Sequence, residues 1–220
     1  MMSILLVIVA CIIIGVLIGI RNDAKVNKEL EEDYKNKEQM ENADITHPPY
    51  SMGEYYNDGK NQGYVFSIKE GGYHGKIISL CEWNGQWSLT KESYGSTLQP
   101  PVLASSYKSG KINKQIIQKL VLTSDYPILW NIEHSYAYTK TDWYLPAIEE
   151  LMELAKYRIL INSNIRNHRY TYVHAHSIGD HEYLSSTELE NKILCYSFLS
   201  NSIWEEKKDY ETSYRLVFEF

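Results

Sequence analysis

The densest group of chemistry-bearing side chains in the sequence is His174-Ala-His176, followed by Asp180-His181. On an extended segment residues i and i+2 point the same way, so His174 and His176 would present two imidazoles to one side. His181 or Asp180 could complete a tetrahedral zinc site, with an open coordination position to activate water. The spacing is not that of a His-Glu-x-x-His helix, and a polar surface loop carrying three solvated histidines is the plainer expectation. Ser185-Ser-Thr-Glu188 places hydroxyls beside a carboxylate but lacks the Gly-x-Ser-x-Gly turn that exposes a nucleophile. A structural role is expected for it. No catalytic residue and no cofactor is assigned, and His174, His176 and His181 are the only metal candidates.

Aromatic choice is the other chemical signal. The chain has 19 Tyr and 5 Trp against 4 Phe. Tyrosine offers rigid contact area with a polar tip, which suits recognition surfaces. Tyr170 and Tyr172 alternate along an extended stretch, so both would face one side, and they are the candidate ligand-binding residues. The competing expectation is that most tyrosines cap a small core with their rings inward.

Charge and cysteine content exclude several classes. Net charge is −6, and no Lys/Arg cluster interleaves with aromatics, so nucleic acid is not an expected partner. Three cysteines are too few for a disulfide scaffold. Cys11 lies in the apolar N-terminal run, which leaves Cys81 and Cys195 as either a pair or two buried free thiols.

The elements that must position these groups begin with Met1 to Ile20, which carries no charged side chain. At 1.5 Å per residue such a run is about as long as the roughly 30 Å hydrocarbon core of a bilayer. No basic residue precedes it, and it continues past Cys11, so an uncleaved anchor is expected over a signal peptide or a lipidated cysteine. Arg21, Lys25 and Lys28 follow the run, and positive-inside counting would keep the rest of the chain in the cytoplasm. Residues 21–49 are charged and read as a helical stalk or spacer that ends at His47-Pro48-Pro49. The globular domain then spans residues 50–220, a normal size for one core.

Within it, Gly63–Ile68 and Lys76–Cys81 read as a hairpin turning at Gly71-Gly72, and Lys111–Leu122 as a helix. The organising stretch is Trp143-Tyr-Leu-Pro-Ala147 leading into a helix that ends before Asn162. Pro146 sits where a helix begins, Glu149 and Glu150 suit its positive end, and Ile148, Leu151, Met152 and Ala155 share one face. Asn162 to Asp180 is polar and irregular. Cys195–Leu199 and Tyr214–Phe220 read as strands, the last with Leu216, Phe218 and Phe220 on one face. Two helices beside a looped antiparallel sheet make an α+β fold.

Tyr55-Tyr-Asn-Asp-Gly59, Gly63-Tyr-Val-Phe66, His74 to Leu80, Trp87-Ser88, Trp143 to Ala147, Glu150-Leu151, Ser185 to Glu188 and Arg215 to Phe218 occur in series. In this order they resemble the Lcl C-terminal-type domain of bacterial surface proteins, a family of unknown biochemical role related to the C-type-lectin fold. The resemblance covers residues 50–220. It implies that the first and last strands lie side by side, that two helices flank the sheet, and that the domain is extracytoplasmic. A Glu-Pro-Asn loop and a Trp-Asn-Asp strand, which calcium-dependent sugar recognition uses, do not occur, since Trp130-Asn131 continues as Ile132-Glu133. The expectation is a single-pass membrane-anchored, lectin-like ligand-binding or adhesion module without catalysis, whose ligand is a carbohydrate or a protein. The alternatives are a metal-dependent enzyme using His174, His176 and His181, and a structural subunit of a surface assembly joined through the stalk.

Overall fold

A computed structural model describes residues 49–88, 104–120, 125–134, 142–167, 175–189 and 192–220. These belong to one compact unit, His47–Phe220. The expected anchor at 1–20 and stalk residues 21–48 lie outside the described residues. Among the described residues no helix is long and apolar enough to cross a membrane.

The chain runs through β1 (Tyr55–Asn57), β2 (Gln62–Lys69), β3 (His74–Ser79) and β4 (Trp83–Gly85). Three α-helices follow: α1 (Gly110–Leu120), α2 (Pro127–His134) and α3 (Ile148–Asn167). Then come β5 (Glu182–Leu189), β6 (Lys192–Ser197), β7 (Ser202–Lys207), β8 (Thr212–Tyr214) and β9 (Val217–Glu219). Hydrogen bonding sorts the strands into a four-stranded sheet, β1-β2-β3-β9, and a five-stranded sheet, β4-β8-β5-β6-β7. The fold is α+β, with two sheets where one was expected.

The hairpin β2–β3 turns through Gly71 and Gly72, both at positive φ. A Cβ on Gly72 would lie 2.3 Å from the Tyr50 carbonyl oxygen, so the turn is closed against the start of the domain. Side chains alternate across the four-stranded sheet, and both faces are covered. Tyr64, Phe66, Ile78 and Val217 pack with Ile148, Leu151, Leu154 and Ile161 of α3. Val65, Ile77 and Leu216 pack on the other side with Trp87, Ile117, Leu129 and Leu184.

The corner before α3 is fixed by Glu150, which is buried. Its carboxylate accepts from Ala147 N at 2.7 Å, a capping bond across the first turn. It also accepts from Gly110 N at 2.9 Å, Tyr144 Oη at 2.9 Å and Lys76 Nζ at 2.6 Å. One carboxylate therefore joins β3 and α1 to the start of α3. Burial disfavours the Lys76 ammonium, but Glu150 and then Glu219 outweigh it and the pKa is raised. At Gly110 a Cβ would meet the Leu145 carbonyl oxygen at 2.0 Å, so only glycine lets α1 start this close to the corner.

Several expectations are corrected. The last strand pairs with β3, Ile77 opposite Phe218 and Ile78 opposite Val217, while β1 lies at the far edge of that sheet. The first and last strands are thus not neighbours. A third helix, α2, is not among the expected elements: Pro127 occupies its first helical position, where no N–H is needed. Helix α3 does not end before Asn162. Ile161 and Ile165 extend its buried stripe, and Asn162 faces a partner: its amide donates to Ile178 O at 2.8 Å and its oxygen accepts from Ile178 N at 2.7 Å. Met152 is 39% exposed and Leu154 is buried, so the apolar face is rotated from the one expected. The C-terminal strand is broken at Arg215-Leu216, where the chain crosses from the five-stranded sheet to the four-stranded one.

Candidate functional site

The motif Ser185 to Glu188 lies within β5 and is buried. Ser185 Oγ donates to Leu194 O at 2.7 Å, and Thr187 Oγ1 donates to Ser106 O at 2.9 Å. Glu188 accepts from Trp87 Nε1 at 2.6 Å. Lys208 Nζ lies 3.0 Å from Glu188, an ion pair by distance rather than a directed hydrogen bond. These groups hold layers together.

Tyr170, Tyr172 and His174 lie outside the described residues. His176 is exposed, and its backbone is engaged: the N–H donates to Leu80 O, and the carbonyl accepts from Arg215. His181 is half-exposed, stacks on Tyr183 and places Nε2 3.0 Å from Glu82. Asp180 pairs with Arg158. Among the described residues no group of three or more His, Cys, Asp or Glu side chains could hold a metal ion. Cys81 and Cys195 do not pair with each other, and burial pushes the Cys195 thiol up to about 12.

What organises this end of the molecule is Arg215, which is buried. Its Nε lies 3.3 Å from Glu82, Nη1 donates to Ser79 O at 2.9 Å, and Nη2 donates to His176 O and Ser177 O at 2.8 and 2.9 Å. Glu82 also accepts from the Tyr183 hydroxyl. Burial, together with this bond, pushes the Tyr183 phenol up to about 12, although the Arg215 charge opposes the shift. The planar guanidinium thereby ties the end of β3, the 176–177 segment and the entry to β4 at one point.

That clamp fixes the strand pair next to it. In the β4–β8 ladder Trp83 lies opposite Tyr214 and Gly85 opposite Thr212. The Trp83 and Tyr214 rings stack with centroids 5.7 Å apart and 26° between planes, a cross-strand aromatic pair. Gly85 leaves room for the tyrosine, since a Cβ there would sit 3.0 Å from Tyr214 Cε1.

Helix α2 supplies the facing wall. Ile128, Leu129 and Ile132 are buried, which turns Trp130, Asn131 and His134 outward. Trp130 and His134 are four residues apart, and their rings stack at 4.4 Å with 15° between planes. His134 Nδ1 lies 2.8 Å from the Trp130 carbonyl oxygen. A carbonyl only accepts, so Nδ1 carries the proton and neutral His134 keeps its lone pair on Nε2. Burial raises the Tyr214 phenol, and a hydrogen bond from Asn131 opposes that rise. The Asn131 amide brings both a donor and an acceptor to this wall.

Between the two walls is a pocket of about 330 Å3, lined by Trp83, Trp130, Asn131, His134 and Tyr214 over a floor of Ile132 and Leu216. That is within the range of small-ligand sites, and the pattern of aromatic walls with few polar groups is typical of them. Trp130 is 44% exposed, a large apolar surface left to solvent. A wider groove of about 810 Å3 runs along α3, but Lys108, Glu149, Glu153 and Lys156 line it with charges of both signs. The aromatic pocket is the better-defined site. Sequence reasoning missed it because its walls come from segments 47 residues apart and more, and because α2 was not recognised. The signal available was Trp130 and His134 at helical spacing behind Pro127. No protein-family model matches the chain, and no curated protein does.

Proposed function

We propose that the chain is a membrane-anchored, lectin-like binding or adhesion module, without catalysis, that holds its ligand in the aromatic pocket between α2 and the β4–β8 pair. The observation that carries this reading is the exposed Trp130 indole beside Trp83 and Tyr214, on a scaffold clamped by Arg215. The series of motifs from Tyr55 to Phe218 supports the lectin-like part. The uncharged run of residues 1–20 supports the anchor. The His181–Glu82 pair serves the clamp in this reading rather than acid–base chemistry, since Tyr183 and Arg215 also bind that carboxylate.

The test is retention on a mixed array of glycans and peptides by the full chain and by Trp130→Ala. The reading expects array members that the unaltered chain retains and Trp130→Ala loses. Equal retention by the two would overturn it. Protease accessibility on intact cells then decides the side of the membrane. Digestion of residues 50–220 from outside is the result that an adhesion role requires.

A further inference from the structure

We infer that the aromatic pocket takes an uncharged pyranose ring, stacked on Trp130 with its hydroxyls directed to His134 and Asn131. The inference rests on the pocket being the ligand site and goes on to name the ligand's chemistry. Charge is the first discriminator. Among the described residues no Asp, Glu, Lys or Arg lines the pocket. The neighbouring Glu133 carboxylate is engaged elsewhere, accepting from Gln118 Nε2 at 2.8 Å. Among the described lining residues an anion would find no cation, and a quaternary ammonium would find aromatic faces but no carboxylate to balance its charge.

Shape is the second. His134 covers one face of the Trp130 indole at 4.4 Å, so a ligand that stacks on Trp130 uses the opposite face. That face is flat and apolar, as wide as a six-membered ring. A pyranose presents a matching face of C–H groups while its hydroxyls project from the edge, toward polar groups around the platform.

Hydrogen-bond polarity is the third. Trp130 O already engages His134 Nδ1, leaving Nε2 as an acceptor, and the Asn131 side-chain oxygen is a second acceptor among the pocket's lining groups. Two acceptors beside an aromatic platform fit a ligand rich in hydroxyl donors. An indole-like ligand has a single N–H donor and would leave one of these acceptors buried and unpaired, at a cost that disfavours it.

The experiment is calorimetric titration of the full chain with four probes: methyl glycosides of neutral hexoses and N-acetylhexosamines, choline chloride, indole, and N-acetyl-phenylalaninamide as a protein-side-chain surrogate. The expected result is binding of at least one methyl glycoside. Trp130→Ala should weaken it about tenfold or more, in line with alanine substitution at aromatic stacking platforms. Trp130→Phe should keep part of the affinity, and His134→Ala should lose about threefold to tenfold. An unchanged thermal midpoint in Trp130→Phe separates a binding effect from a folding one. Trp130-dependent binding of choline, indole or the amide, with none of a glycoside, overturns the pyranose inference and leaves the pocket reading standing. Absence of Trp130-dependent binding by all four probes overturns both.

Discussion

Trp83 stands directly opposite Tyr214 in the β4–β8 ladder, with their rings 5.7 Å apart. One residue further along each segment, Glu82 meets Arg215 at 3.3 Å. The aromatic pair that walls the pocket and the ion pair that ties down three backbone segments are thus adjacent residues of the same two segments. Because side chains alternate along extended backbone, the two pairs serve opposite faces. The site's rigidity follows from this pairing.

Arg215 is the residue whose loss should be felt most. Arg215→Ala would leave Glu82 short of a partner and the carbonyls of Ser79, His176 and Ser177 without a donor. The expected cost is about 3–5 kcal/mol, as for breaking a buried ion pair from one side. Arg215→Lys should recover little, because an ammonium cannot reach acceptors spread around a planar fork. Urea unfolding measures this. A loss under about 1 kcal/mol would mean that the clamp is incidental.

Two neighbouring positions of α3 should behave in opposite ways. Leu151 is buried among Tyr64, Ile78 and Val217, and Leu151→Ala should cost about 2–5 kcal/mol. Met152 faces the wide groove, and Met152→Ala should stay within about 0.5 kcal/mol. The same unfolding curves decide it, and equal costs would refute the burial pattern.

Alkaline pH should destabilise the fold in two steps. Burial first, and then Glu206 and Glu182, raise Cys195 from 9.0 to about 12. Burial raises Tyr183 from 10.0 to about 12. In the fold each group stays protonated, whereas the unfolded chain releases the proton, so unfolding gains as pH rises. The stabilisation is whole below pH 9 and falls between about 9 and 12. In Cys195→Ala the decline should begin only near pH 10, where the tyrosines take over. Urea midpoints across this range provide the check, and identical profiles for the two chains would contradict the assignment.

Much of the scaffold was legible where one local signal decided it. The hairpin β2–β3 follows from two short apolar runs on either side of Gly71-Gly72, and the start of α3 from Pro146 and the glutamates behind it. The sequence also showed that Leu216, Phe218 and Phe220 share a face, and all three pack on one core cluster. What stayed hidden depends on partners distant in the chain. Asn162 looks like a loop residue until Ile178 meets both ends of its amide. Glu150 looks like a dipole-compensating charge until Lys76, Tyr144 and Gly110 converge on it. The pocket was least legible of all. Trp83 and Trp130 come together only through the β4–β8 register and the packing of α2, and neither is written in local periodicity.

The most direct test of the pocket uses the chain's own tryptophans. There are five, at positions 83, 87, 130, 143 and 204, and 5-fluorotryptophan labelling gives each its own 19F resonance. Trp87 and Trp143 are buried away from the pocket, while Trp83 and Trp130 line it. Resonances assigned by single Trp→Phe substitution are followed while the full chain is titrated with the neutral methyl glycosides. The account predicts that Trp130 and Trp83 shift in a saturable way while Trp87, Trp143 and Trp204 stay fixed. Saturable shifts confined to Trp204 or the buried tryptophans, or no shift at Trp130 at any concentration, would contradict it.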